Sequence, residues 1–221
     1  MKRIDKLPYF APSVLSLKMN TLFKCYHEYP KIATFWQQGN AFACVFGGKV
    51  TVCGKADWDE LRMFANFIGA KEVEILSDSG HTVLMHDCKT EVPCTMLPTS
   101  DYDKAHKIIC TADQTFGVLV PRLEFIADMK IRQRNNCAKA FIYDDTVGLI
   151  TAEDEEFCLL GVLARDPFAP RGNGKKLLNE IISDCATKGK SLYVIAENEK
   201  LEKYYKNCGF YPIGKVLYLK S

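Results

Sequence analysis

The sequence predicts a mixed α/β fold in which helices pack on a sheet. Three observations predict it. The second half alternates strand-like and helix-like runs: helices, three strands, a helix, a strand, a helix and a strand-like end. In the first half, two alternating apolar runs flank Gly47-Gly48, the mark of a hairpin. An apolar strand also runs directly into a glycine-bearing loop and an amphipathic helix, "FAPRGNGKKLLNEI" (168–181).

The elements follow in order. Residues 1–35 read as helical and aromatic-rich, punctuated by Pro12 and Pro30. "NAFACVFGGKVTVCG" (40–54) is the hairpin. "ADWDELRMFANFIGA" (56–70) is an amphipathic helix, with Asp57 as cap, Glu60 completing a capping box and Gly69 near its end. "KEVEILSD" is a strand. "CKTEVPCTMLPTSDYDKAHKIIC" reads as a strand, a turn at Pro98 and a helix capped by the pair Ser100 and Asp103. "GVLVPRLEFIADMKIRQRN" is a helix beginning near Pro121. Strands follow at 138–145, 146–153 and 157–166, then a helix to about Lys188. "SLYVIAEN" is a strand, "EKLEKYYKNC" a helix and "YPIGKVLYLKS" two short strands.

Composition narrows the function. The chain has 221 residues, 48% hydrophobic, enough for one large domain or two small ones. Lys and Arg total 29 against 27 Asp and Glu, so the net charge of +2 argues against a nucleic-acid partner. No run of 18 apolar residues marks a membrane span, and the N-terminus lacks a signal-peptide pattern. A cytoplasmic protein with no membrane partner is expected. The ten cysteines form no CxxC and sit in apolar runs, so they read as reduced core thiols. His81 and His86 lie near Cys88 and Cys94 at a spacing unusual for a metal site, and they read as ordinary strand residues. No metal is expected.

The loop "APRGNGKKLL" has the physics of a phosphate seat. The first turn of a helix leaves amides unpaired at the positive end of its dipole. Gly172 and Gly174 let a bulky anion approach the backbone, and Arg171, Lys175 and Lys176 add positive charge. The GxGxxG and GxxxxGK[ST] motifs are both absent. A tight strand-to-helix turn fits the same glycines, so on the loop alone both readings stand.

The context distinguishes them. "APRGNG" resembles the signature [Q/R]-x-x-G-x-[G/A] of the GNAT superfamily of acyl-CoA N-acyltransferases. Gly172, Asn173 and Gly174 fit its second half. Ala169 stands where Gln or Arg is usual, with Arg171 two residues on, and Asp166 replaces the family's upstream proline, with Pro167 beside it. "NEKLEKYYKNCGF" resembles the family's N-x-x-A-x-x-[FL]-Y-x-x-x-G-F through Asn198, Tyr204, Tyr205, Gly209 and Phe210, with Leu201 in place of alanine. The resemblance covers about residues 90–221.

The resemblance implies the GNAT fold in a domain at 88–221, binding acetyl-CoA between two splayed strands. Main-chain groups near Leu163 and Ala164 would pair with the pantetheine. The amides from Arg171 through Gly172, Asn173 and Gly174 to Lys175 would hold the pyrophosphate, with Asn198 as a further cofactor contact. Arg165 would reach a phosphate or lie in solvent, and Lys175 and Lys176 could instead form a solvated helix face. The implied reaction is direct attack of a primary amine on the thioester, with Tyr205 protonating the leaving thiolate and Tyr204 in the core. Glu155 and Glu156, at an acidic hairpin tip, are candidates for the base, and solvent exposure is the plainer reading. Cys158 as an acyl-carrying nucleophile runs against the family norm.

Residues 1–87 are expected to form an N-terminal α/β domain. Its hairpin–helix–strand order invites reading as a degenerate copy of the same fold. The corresponding loop, "CGKADWDEL", places Asp57 and Asp59 at the helix start, where they would repel a pyrophosphate. The function expected is an N-acetyltransferase with an unidentified amine acceptor. The alternative, kept open by Ala169, is a non-catalytic acyl-CoA-binding or structural protein.

Overall fold

Glycine pairs and polar caps set the local structure. The computed structural model describes residues 1–89 and 93–220. Gly47 and Gly48 adopt φ of 57° and 76°, the left-handed values that a two-residue hairpin turn needs. They join β3 (Ala41–Phe46) to β4 (Lys49–Cys53) in register Phe46↔Lys49. Asp57 caps α2 (Trp58–Phe67), its Oδ1 accepting from the amides of Asp59 and Glu60 at 3.1 and 3.0 Å.

The described residues form two compact units. The first comprises 1–84, 195–205 and 212–220; the second comprises 85–89, 93–194 and 206–211.

In the first unit, β1 (Lys2–Arg3), β2 (Ala33–Gln38), β3 and β4 are antiparallel neighbours in chain order. β5 (Glu72–Ser77) runs parallel to β4, as the α2 crossover requires. β6 (His81–His86) begins in this unit; His81 and His86 are strand residues, as expected. Val50, Val52, Val73 and Ile75 pack with Leu61 and Ala65 of α2. Thr51, pointing the other way, donates to Glu74, which pairs with Lys18 of α1 (Val14–Tyr26) at 2.7 Å. The two helices therefore cover opposite faces. Residues 1–13 are not helical, since α1 starts only where Ser13 forms a capping box with Ser16.

The chain's end belongs to this unit. The expected pair of short terminal strands is one ten-residue strand, β11 (Tyr211–Lys220). Lys215–Lys220 pair antiparallel with Ser77–Glu72. Gly214 interrupts nothing because the β5 ladder takes over one residue beyond it.

In the second unit the strand order is β10-β9-β8-β7. β7 (Lys139–Tyr143), β8 (Thr146–Glu153) and β9 (Phe157–Arg165) form an antiparallel meander. β10 (Ser191–Ala196) pairs parallel to β9 after the crossover helix α6 (Asn173–Thr187). α3 (Tyr102–Ala112) and α5 (Arg122–Arg134) pack on Ala140, Val147 and Leu149, with the short α4 (Phe116–Leu119) between them in sequence. Gly148, between Val147 and Leu149, faces α6, where an added Cβ would strike Ile181. α6 thus covers the opposite face, and Gly148 sets how closely it approaches.

Two local expectations change here. Asp101, not the pair Ser100 and Asp103, caps α3, accepting from the Lys104 amide at 2.9 Å. Asp103 is turned to Arg122 instead. Residues 93–98 form no strand; Thr99 alone makes a bridge, to Ala140. The rest of that expected strand, Thr90–Val92, lies outside the described residues. No helix of the described residues is long and apolar enough to cross a membrane.

Candidate functional site

The candidate loop begins with an irregular strand. Between Leu149↔Val162 and Ile150↔Leu160 the ladder gains one residue on β9, Gly161. Between Ile150↔Leu160 and Ala152↔Leu159 it gains one on β8, Thr151. These are β-bulges, which bend a strand and re-aim its edge. A Cβ on Gly161 would overlap the Thr151 side chain, so this double bulge requires glycine at 161. The parallel ladder to β10 spans Phe157–Leu160 and stops there. Beyond it, Leu163 pairs with Gly148 and Ala164 with Val147 on the β8 side only. The edge of β9 at Leu163 and Ala164 is the type of open edge to which an extended ligand adds.

β9 leads through 166–172 into α6. Arg165 donates through Nη1 to the Ala169 carbonyl, so it pins the loop. The Phe168 amide donates to Asp166 Oδ1 at 2.8 Å, and the Ala169 amide donates to the Asp166 carbonyl at 3.0 Å. Ala169 is buried, whereas the Phe168 ring is 95% exposed.

Gly172 is the N-cap of α6, at φ 95° and ψ −16°. No side chain caps this helix. The Asn173 amide makes a long 3.5 Å contact with the Pro170 carbonyl, and the Lys176 amide bonds Gly172 at 3.0 Å. Among the described residues, the amides of Gly172, Gly174 and Lys175 make no hydrogen bond. A fifteen-residue helix thus presents its positive end with free donors. No acidic residue lies in its first turn, which would fill that role intramolecularly.

The side chains around this start are divided in role. Asn173 is buried, and its Nδ2 donates to Asp144 Oδ2 at 3.2 Å, tying α6 to the β7–β8 turn. Lys176 lies over the Tyr143 ring at 5.8 Å. Arg171 and Lys175 are exposed. The predicted residues Arg171, Gly172, Asn173, Gly174 and Lys175 therefore converge on one helix start, with main-chain donors and not side chains as its core.

Tyr205 lies on α7 (Glu199–Lys206) and Asn198 just before it, both in the first unit. Asn198 caps this helix, its Oδ1 accepting from the Leu201 amide at 3.0 Å. Tyr205 is 7% exposed and meets Tyr204 edge-on at 5.3 Å. Tyr204 is only half-buried, so the buried ring of the pair is Tyr205, the reverse of what the motif suggested for Tyr204.

The acidic tip is partly structural. Glu153 pairs with Lys139 at 2.9 Å and with Lys190 at 2.7 Å. Lys139 also reaches Asp184 at 2.9 Å, and Asp184 binds Lys188 at 2.6 Å. Burial disfavours the Lys139 ammonium, but hydrogen bonds to Asp184 and Glu153 outweigh it and hold its pKa well above the usual lysine range. Asp154 Oδ1 accepts from the amides of Glu156 and Phe157, closing the turn. Glu155 and Glu156 are exposed. Cys158 is fully buried; its contact with Cys185 and its burial both push the thiol far up, which suits a packed thiol and not a nucleophile.

Sequence reasoning missed Arg165's bond to Ala169 and Asp144's bond to Asn173. The first could have been sought in an arginine at a strand end just before a loop rich in carbonyls. The second joins positions 29 apart and left no local signal.

No family model matches the chain, and no curated protein matches it. Solved structures do. A GCN5-related N-acetyltransferase from Kribbella flavida is similar at a TM-score of 0.61, with 10% identity and 94% of each chain covered. A GCN5-related N-acetyltransferase from Sphaerobacter thermophilus is similar at 0.54, with 14% identity and 96% of each chain covered. A tandem GNAT protein from the clavulanic acid biosynthesis pathway is similar at 0.53, with 12% identity over 96% of this chain and 90% of that one. The strand–bulge–loop–helix unit at 157–187 lies within a mixed α/β architecture that these proteins share along nearly their whole length. The chain has the fold of the GCN5-related N-acetyltransferases.

Proposed function

We propose that the chain is an N-acetyltransferase that moves an acetyl group from acetyl-CoA to a primary amine. One observation carries the reading: the loop 166–172 after a bulged strand leads into a long helix with an αL glycine, free amides and no side-chain cap. Such a start fits a pyrophosphate, whose oxygens accept several N–H donors at once. Arg171 and Lys175 add charge at its rim. The open edge of β9 at Leu163 and Ala164 offers the amides and carbonyls that an extended pantetheine needs.

The amine attacks the thioester carbonyl directly. The new C–N bond forms, the C–S bond breaks, the nitrogen gives up one proton to water, and the thiolate leaves with a proton. Tyr205 is the proposed donor of that proton by its place in the "NEKLEKYYKNCGF" motif, and Asn198 is carried with it as a cofactor contact. Residues 1–87 are proposed as a degenerate copy of the same fold.

A second reading rests on Ala169. It gives the loop no side-chain donor where the family has Gln or Arg, and its carbonyl is occupied by Arg165. Under that reading the chain binds acyl-CoA without turning it over. Calorimetric titration with acetyl-CoA, then free-thiol release with a panel of amines, separates them. Binding with thiol release supports the enzyme. Binding without release across the panel supports the second reading, and no binding removes both.

A further inference from the structure

The turn between β7 and β8 grips the loop before α6 at both ends. Three consecutive residues do so. Lys176 of α6 lies over the Tyr143 ring at 5.8 Å. Asp144 Oδ2 accepts from Asn173 Nδ2 at 3.2 Å. The Asp145 carbonyl accepts from the Asp166 amide at 2.8 Å. Asp166 follows the last residue of β9, and Asn173 is the first residue of α6.

The Asp144 contact is the one that fixes the helix start. Gly172 and Gly174 flank Asn173, and glycine leaves the backbone free to turn. The Asn173 amide makes only the long contact to Pro170. The Asn173 side chain, 3% exposed, is therefore the anchor of this stretch, and Asp144 holds it. Asp144 reaches it from a left-handed backbone, φ 49°, a state that Asp tolerates better than most residues and that is kept where its surroundings demand it.

We propose that Asp144 is a positioning residue for donor binding: by holding Asn173 it aims the free amides of Gly172, Gly174 and Lys175 at the pyrophosphate. The inference rests on the acetyl-CoA reading above. Asp144 acts through Asn173 and not on the ligand. Its carboxylate stands beside an anion seat, so its charge opposes binding while its hydrogen bond favours it.

Two substitutions separate the hold from the charge. Asn and Gly both suit φ 49°, and both are neutral. Asp144→Asn keeps an oxygen for Asn173 Nδ2, and Asp144→Gly does not. In calorimetry with acetyl-CoA, Asp144→Asn should bind at least as tightly as the native chain. Asp144→Gly should bind about twofold to tenfold more weakly than Asp144→Asn, the effect of losing one hydrogen bond. Combined with Asn173→Ala, the two substitutions should give equal affinities, since the oxygen then has no side chain to hold. A role confined to stability would lower the Tm of Asp144→Gly and leave the two Kd values equal; that result would overturn the proposal. A gap that survives Asn173→Ala would overturn it as well. Should that combination fold poorly, the comparison of Asp144→Asn with Asp144→Gly decides by itself. Absence of binding by the native chain would remove the acetyl-CoA reading and this inference with it, whereas native binding with equal Kd values in the two variants removes the role of Asp144 alone.

Discussion

Replacing Gly172 by alanine isolates what the backbone contributes at the candidate site. No atom lies within 4 Å of where a Cβ would stand, so the change brings no clash. Its cost is conformational. At φ 95° an L residue is strained by about 1–2 kcal/mol. For a chain of this length, about 1 kcal/mol lowers Tm by roughly 2–4 °C, so a fall of about 2–8 °C is expected if the loop keeps its shape. If the loop relaxes instead, stability recovers and the amides of Gly174 and Lys175 lose their common aim. Losing one hydrogen bond to a charged group then costs about 1.5–3 kcal/mol, a rise of roughly tenfold to a hundredfold in the Kd for acetyl-CoA. Asparagine tolerates the left-handed region better than alanine and should lose less on both scales. Thermal unfolding and calorimetry on Gly172→Asn and Gly172→Ala give the ranking. An alanine variant with unchanged Tm and unchanged affinity refutes the reasoning.

Four further outcomes follow. Tyr205→Phe should lower turnover more than acetyl-CoA affinity in a thiol-release assay; unchanged turnover removes Tyr205 as proton donor. Gly161→Ala drives a methyl into Thr151 and should destabilise the chain by about 1–3 kcal/mol in urea, partly relieved by adding Thr151→Ala; no loss would mean the bulge is not glycine-dependent. Lys139→Met leaves Glu153 and Asp184 with Lys190 and Lys188, so its loss in urea should fall near the low end of about 3–5 kcal/mol. Burial pushes the Asp184 carboxyl up, but hydrogen bonds from Lys188 and Lys139 outweigh it and hold it below the usual range. It stays ionised in the fold at a pH where the unfolded chain takes up a proton. Its contribution is therefore present above about pH 4 and lost as pH falls through the lower folded value. Urea midpoints at about pH 5 and pH 3 should drop less for Asp184→Asn than for the native chain, and an equal drop contradicts the assignment.

What the sequence disclosed is what local chemistry decides. Gly47-Gly48 announced a hairpin because few other residues supply two left-handed positions in succession. Asp57 announced α2 because its oxygen meets the amides two and three residues on. The strand before the loop and the helix after it were legible as periodicity, and two short motifs named the fold. The misread elements depend on distant partners. β11 reads as two strands until β5, about 140 residues away, supplies one continuous ladder. Asp103 passes for a cap until Arg122 draws it off α3. Arg165 passes for a phosphate ligand until the loop folds back and brings the Ala169 carbonyl to it. At the loop itself, the glycines and lysines were visible, but the absence of any side-chain cap on α6 was not. That absence is a fact about orientation, which composition does not encode.

Calorimetric titration of the native chain with acetyl-CoA tests the central claim most directly. A start of α6 with free amides predicts saturable binding at one site per chain, weakened by Gly172→Ala or by rising salt as Arg171 and Lys175 are screened. Absence of any heat or competition at about 1 mM ligand, a binding free energy weaker than about −4 kcal/mol, would contradict it.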